Sequence, residues 1–196
     1  MNKKNAFTIG VMNFQGSQYD DDYAALEMAS SIFGGGFLNS RIASRLRQQD
    51  GVSYGAGGRV SVDDNQKDKN SSILVYAIYA PENAQKVQNG FNEEIERFIK
   101  EGITQEELKN AIDGWVQAQN VSRAKDNELS NVINNNMYYD RDLNFQKNLE
   151  EKVKGLTVDQ VNAAIKKHFK TFEKWTVVNA GDFNNLIQDK EEKVDD

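Results

Sequence analysis

Gly34-Gly35-Gly36-Phe37-Leu38-Asn39-Ser40-Arg41, continuing through Arg45-Leu46-Arg47-Gln48-Gln49-Asp50-Gly51-Val52-Ser53-Tyr54-Gly55, switches backbone habit several times within one short stretch. Three consecutive glycines stop the helix before them, since glycine tolerates the positive φ that a helix end often needs. A phosphate cradle is the other use of such a run, but the lysine and spacing of a P-loop are missing. Asn39 or Ser40 can cap a second, short helix over residues 39–49. There Ile42 and Leu46, four apart, share one side, and Arg41 and Arg45 occupy another. Asp50-Gly51 makes a turn and Val52 opens a strand. Helix, stop, short helix and strand in direct succession describe helices folded back onto a sheet.

The flanking sequence extends the same plan. Residues 6–14 are rich in β-formers and read as a strand. Asp20-Asp21-Asp22 reads as the start of the helix that the glycines end, with acids at its positive pole. Its apolar face is Tyr23, Leu26, Ala29, Ile32 and Phe33. Residues 52–63 and 71–80 read as two strands joined by a polar loop. A helix then carries Val87, Phe91, Ile95, Phe98 and Ile99 on one face and ends at Gly102. Thr104-Gln105-Glu106-Glu107 and Thr157-Val158-Asp159-Gln160 are capping boxes that open two further helices, the second running to Lys170. Helices over 128–138 and 143–154 lie between them, and 175–180 is a last strand. The expected fold is a single α+β domain of two layers, a mixed or antiparallel sheet with helices packed on one face. Its core spans about 6–185 of the domain 1–196, and residues 188–196 form a charged tail.

Composition removes whole classes of function. The 196 residues carry a net charge of -6, with lysine and arginine scattered, so nucleic acid is not the expected partner. No apolar run reaches the roughly 18 residues needed to cross a bilayer, and the start reads as a strand and not a signal peptide. There is one histidine and no cysteine. A hydrolytic zinc site usually needs two or three histidines, or thiolates in their place. No metal ligand set and no catalytic residue is therefore assigned within this chain. The acid pairs Glu93-Glu94, Glu106-Glu107 and Glu150-Glu151 read as helix first turns or solvated faces, and His168, among Lys166, Lys167 and Lys170, as a surface or semi-buried structural residue.

The opening stretch resembles a recurring block of the pitrilysin/insulinase zinc metallopeptidases, which include the mitochondrial processing peptidases. In the non-zinc half of those proteins a glycine-rich helix end is followed by Ser-Arg-Leu or similar, Leu-Arg, and Gly-hydrophobic-Ser/Ala-Tyr. Here Leu46-Arg47 is followed by Tyr54, seven residues after the arginine. Glu101-Gly102-Ile103-Thr104-Gln105-Glu106-Glu107-Leu108, Gly155-Leu156-Thr157-Val158-Asp159-Gln160-Val161 and Asn179-Ala180-Gly181-Asp182 are similar to later family segments, in the same order. The family's His-x-x-Glu-His motif is absent: Phe169-Lys170-Thr171-Phe172 follows the sole histidine, His168.

The resemblance implies a metallohydrolase domain of the processing-peptidase type that is inactive alone. It would close a chamber and position peptide for a zinc-bearing domain, of the same polypeptide or of a partner subunit. That domain would supply the zinc-activated water and its glutamate base. The substrate-binding residues it implies are Arg47, as a guanidinium fork for a peptide carbonyl, and Tyr54, as a phenol donor to the oxygen that gains charge. From spacing alone, Arg47 reads as a solvated cation at the negative helix end and Tyr54 as a sheet aromatic. The alternative function is a scaffold or peptide-binding relative without catalysis. Bacterial relatives are often exported, which leans towards the envelope.

Overall fold

The computed structural model describes residues 5–36 and 39–183. The expected tail at 188–196 and the end of the core near 185 lie outside the described residues. Four strands, β1 (Ala6–Gln15), β2 (Ser53–Ser61), β3 (Asn70–Tyr79) and β4 (Thr176–Ala180), form one sheet in the order β2-β3-β1-β4. Every ladder is antiparallel, which settles the choice between a mixed and an antiparallel sheet. The first strand lies centrally because both the second hairpin strand and the last strand of the chain pair with it.

Alternation decides which side is covered. Ala6, Thr8, Gly10 and Met12 face the same side as their partners Tyr79, Ala77, Val75 and Ile73, and that side is buried. Thr8 is a polar residue there, and its hydroxyl lies 2.6 Å from the Tyr79 hydroxyl while donating to Asn179 Oδ1 at 2.6 Å. A buried hydroxyl so engaged carries no desolvation penalty left unmet. The opposite face carries Phe7, Tyr76 and Val178, 37%, 36% and 56% exposed, and Phe7 stacks on Tyr76.

The helical layer begins with α1 (Tyr23–Ser30), which widens into a π turn over Ser31–Gly35 closed by Gly36 N–H on the Ser31 carbonyl. The helical segment ends within the glycine run as expected, though not through a positive φ. Neither Gly34, Gly35 nor Gly36 has a positive φ; among the described glycines only Gly51 and Gly102 do. A Cβ on Gly34 would instead sit 2.2 Å from the backbone nitrogen of Gly58 and 2.3 Å from its Cα. Helix and strand touch backbone to backbone here, and glycine is the residue that lets them.

Next come α2 (Arg41–Ala43) with a π turn over Ser44–Gln49, α3 (Ala84–Glu101) and α4 (Gln105–Arg123). Ser40 stands at the start of α2, but its side chain makes no cap, and its hydroxyl is buried without a partner. Both capping boxes form as the spacing predicts, at Thr104 and Thr157. The helices α5 (Asp126–Tyr138), α6 (Asn144–Lys154) and α7 (Val158–His168) complete the layer. The helix α7 stops at His168, short of Lys170, because Phe169 turns extended to bury its ring. Phe33, Phe98 and Phe169 meet there with centroids 5.1–5.2 Å apart and join α1, α3 and α7 in one core.

Two acid clusters behave differently from solvated helix turns. The helix α1 starts after Asp22, and Asp20 and Asp22 reach across the fold to Lys69 and to Lys167 and His168. Glu94 is buried, 2% exposed, between Arg97 at 2.6 Å and Arg41 at 3.9 Å. Arg41 also donates to Glu107 at 2.7 and 2.8 Å and to the Gly102 carbonyl at 2.7 Å. Arg41→Ala is expected to lower stability by about 2 kcal/mol, because Glu94 loses one of two cations in a desolvated position. The midpoint of urea unfolding checks it.

Candidate functional site

Of the arginines in the opening block, two are engaged. Arg41 is held as described, and Arg45 pairs with Glu93 and, at 3.2 Å, with Asp50. Arg47 has no hydrogen-bond or ion-pair partner among the described residues. It lies in the π turn that follows α2, where Asp50 N–H reaches the Arg45 carbonyl and Val52 N–H the Leu46 carbonyl. Leu46, fully buried, anchors the turn and so fixes where the half-buried Arg47 departs from the backbone.

Tyr54 owes its direction to a bulge. Ser53 pairs with Tyr79 and Gly55 with Ile78, so Tyr54 is an extra residue in β2 with no partner in the ladder. Without the bulge, alternation would place Tyr54 on the face of Ala56, Gly58 and Val60, which is the core. With it, Ser53 points inward and Tyr54 is 58% exposed. The Ser53 hydroxyl secures the irregularity: it donates to the Ile78 carbonyl at 2.8 Å and accepts the Gly55 N–H at 3.2 Å. Nothing in the sequence marks Ser53 for this role, since a bulge depends on the partner strand. Arg47 and Tyr54 come together as two walls of one shallow depression of about 310 Å³, with Gln48 and Ser53.

This arrangement sits within a matched family region. The sequence model described as the peptidase M16 inactive domain matches residues 2–114, which include all of β1 to α3 and the Arg47/Tyr54 depression. The chain belongs to this family. M16 is the pitrilysin/insulinase group of metallopeptidases, and the match is to its inactive, C-terminal-type domain. As an M16 inactive domain the chain also has solved structural relatives. It is similar to the peptidase M16 inactive domain from Pseudomonas fluorescens at 23% identity and a TM-score of 0.78, over 92% of this chain and 42% of that one. The inactive peptidase domain of a zinc-protease-type protein from Bordetella parapertussis matches at 15% identity and a TM-score of 0.74, over 90% of this chain and 92% of that one. The periplasmic protease PqqL from Escherichia coli matches at 20% identity and a TM-score of 0.73, over 92% of this chain and 19% of that one. At these identities the likeness establishes the shared fold. The chain thus spans under half the length of the Pseudomonas relative and about a fifth of PqqL. Among curated proteins none matches the chain.

Among the described residues no three His, Cys, Asp or Glu side chains gather where a metal ion could be held. His168 is buried, 5% exposed, with Nε2 2.8 Å from Asp22 Oδ2 and its ring 4.7 Å from that of Phe14. Lys167 reaches the same carboxylate oxygen at 2.7 Å. These contacts make His168 a structural tie between α7 and the start of α1. Burial tends to raise the Asp22 carboxyl, but the hydrogen bonds from Lys167 and His168 outweigh it and hold the group below its ordinary value of 3.8. A carboxyl depressed on folding stabilises fully above its unfolded value and loses that contribution as pH falls through the folded one. Asp22→Asn is therefore expected to lower stability by about 1.5 kcal/mol at neutral pH. The gap from the parent should close as pH drops below 3.8, which thermal melts across that range will read.

Proposed function

We propose that this chain is the non-zinc half of a zinc metalloendopeptidase, which closes the chamber and positions a peptide through Arg47 and Tyr54. The observation that carries the reading is the convergence of two unengaged donors on one depression, while the neighbouring Arg41 and Arg45 are occupied. A guanidinium is permanently charged and presents a fork of donors, suited to a peptide carbonyl. The Tyr54 phenol is exposed on a rigid strand and can donate to an oxygen that becomes negative as a peptide bond is attacked. Neither group can activate water, so this half contributes binding and charge stabilisation alone. The zinc, the attacking water and the general base belong to a partner domain, in the same polypeptide or in another subunit.

The uncovered sheet face supports an enclosed position. Phe7, Tyr76 and Val178 form an exposed apolar surface with the half-buried Ile9, Val11, Leu74 and Ile78 around them. Apolar patches of this kind mark surfaces that meet another body.

The test is to combine this chain with the zinc-bearing domain and assay hydrolysis of an unstructured peptide, with and without a chelator. Hydrolysis is expected only from the combination, and the chelator should abolish it. Hydrolysis by this chain alone would overturn the reading. A zinc-bearing domain equally fast with and without this chain would instead favour a scaffold.

A further inference from the structure

A cavity of about 690 Å³ lies between α1, α4, α5 and α6. That is within the range of small-molecule sites. It shares no lining residue with the Arg47/Tyr54 depression. Its lining residues include Leu129, Val132, Leu149, Tyr23, Trp115 and Glu27. The polar groups of Trp115 and Tyr23 act on the Glu27 carboxyl and favour its charged form. Burial raises the Tyr23 hydroxyl above its ordinary range, and the Glu27 charge adds to this, so the phenol remains a donor.

Glu27 is a half-buried carboxyl with no cation paired to it among the described residues. The cations bordering the cavity are engaged elsewhere or stand outside. Arg123 and Lys154 both pair with Glu150. Arg141 donates to the Tyr19 hydroxyl, Gln18 Oε1 and the Asp64 carbonyl, each at 2.8 Å, and packs over the rings of Tyr19, Tyr139 and Phe145. Lys147 is exposed. Neither Tyr23 nor Trp115 stacks on another ring or on a cation among the described residues. Burial raises the Glu27 carboxyl from its ordinary value, against the opposing effect of Trp115 and Tyr23.

We infer that this cavity is a binding site for a primary ammonium group carried on an apolar stem, with Glu27 as its counter-ion. The aromatic residues of the lining can attract a cation, and Leu129, Val132 and Leu149 receive the stem. An ammonium fits better than a guanidinium. The polar groups of Trp115 and Tyr23 already act on the Glu27 carboxyl, which disfavours the two-pronged approach a guanidinium requires, whereas a compact ammonium can rotate its donors to the lone pairs left. The group could belong to a lysine side chain of a peptide or to a free amine.

The test uses Trp115 fluorescence in a Trp175→Phe background, titrated with n-butylammonium, n-butylguanidinium and butyrate. Saturable quenching by butylammonium is expected, weaker for butylguanidinium and absent for butyrate. Glu27→Gln keeps the shape and should weaken butylammonium binding by about tenfold or more. No saturable response to butylammonium, or an equal response to butyrate, would overturn the inference without relying on any variant at Glu27. Equal affinity in Glu27→Gln would overturn it as well. A blocked lysine tripeptide separates the sources: tighter binding than butylammonium assigns the site to a peptide side chain, and weaker binding to a free amine.

Discussion

Tyr54→Phe and Arg47→Ala, each made in the assembled enzyme, are expected to lower kcat/KM by about a hundredfold while leaving the melting temperature of this domain unchanged. The magnitude follows from the value of one donor aimed at developing charge, about 3 kcal/mol in the barrier. The two variants should differ in character. Tyr54 would act on an oxygen whose charge appears only in the transition state, so its loss should fall on kcat. Arg47 would hold a carbonyl present in the ground state too, so part of its loss should appear in KM. Stability is spared because Tyr54 is 58% exposed and Arg47 has no partner among the described residues. Surface positions of that kind move stability by about 0.5 kcal/mol or less. Steady-state kinetics beside thermal melts checks both halves. Full turnover in a folded Tyr54→Phe enzyme would remove the phenol from the proposed role. Ser53→Ala supplies a control on geometry: with the bulge loosened, activity should fall although Arg47 and Tyr54 are both kept.

Gly34→Ala should destabilise the domain by about 4 kcal/mol, at the upper end for a single methyl group. The added carbon would lie 2.2–2.5 Å from three backbone atoms of Gly58. A side chain in the way can rotate aside, but a strand in a ladder cannot retreat without stretching hydrogen bonds. Gly58 pairs with Val75 in the sheet, and a Cβ placed on Gly58 would in turn meet the Leu74 carbonyl at 2.7 Å. Neither surface can give way. For a chain of this length the expected fall in Tm is about 8–16 °C. Gly35→Ala is the matched comparison, since a Cβ there comes no nearer than 3.2 Å to the Ser30 carbonyl. Calorimetry on the pair separates close approach from helix propensity: two equally mild losses would mean the contact with Gly58 is dispensable.

Much of the architecture could be read from local pattern. The Thr104 and Thr157 capping boxes are local hydrogen-bond devices, complete within four residues, and both formed where their spacing placed them. The apolar face of α3, with Val87, Phe91, Ile95 and Phe98 fully buried, followed from helical period alone. The family resemblance, too, was carried by residues in order along the chain, and the match over 2–114 agrees with it. Side-chain destinations were less accessible. Asp22 read as a helix-pole acid until α7 brought Lys167 and His168 to it from about 145 residues away along the chain. Glu94 read as a solvated face until Arg41 and Arg97 closed over it.

The chain by itself pointed away from a hydrolytic zinc site, with one histidine and no cysteine, and towards the alternation of strands and helices that an α+β domain requires. Those are matters of inventory and of period, which a chain possesses before it folds. Tertiary structure decided the rest. It added to the helix stop at the glycines a close contact of Gly34 with Gly58, it used the bulge at Ser53 to rotate Tyr54 out of the core, and it left Arg47 unengaged while giving Arg41 and Arg45 their carboxylates. Each of these depends on which atoms of a distant segment arrive nearby, and distance through space is not written in the order of residues.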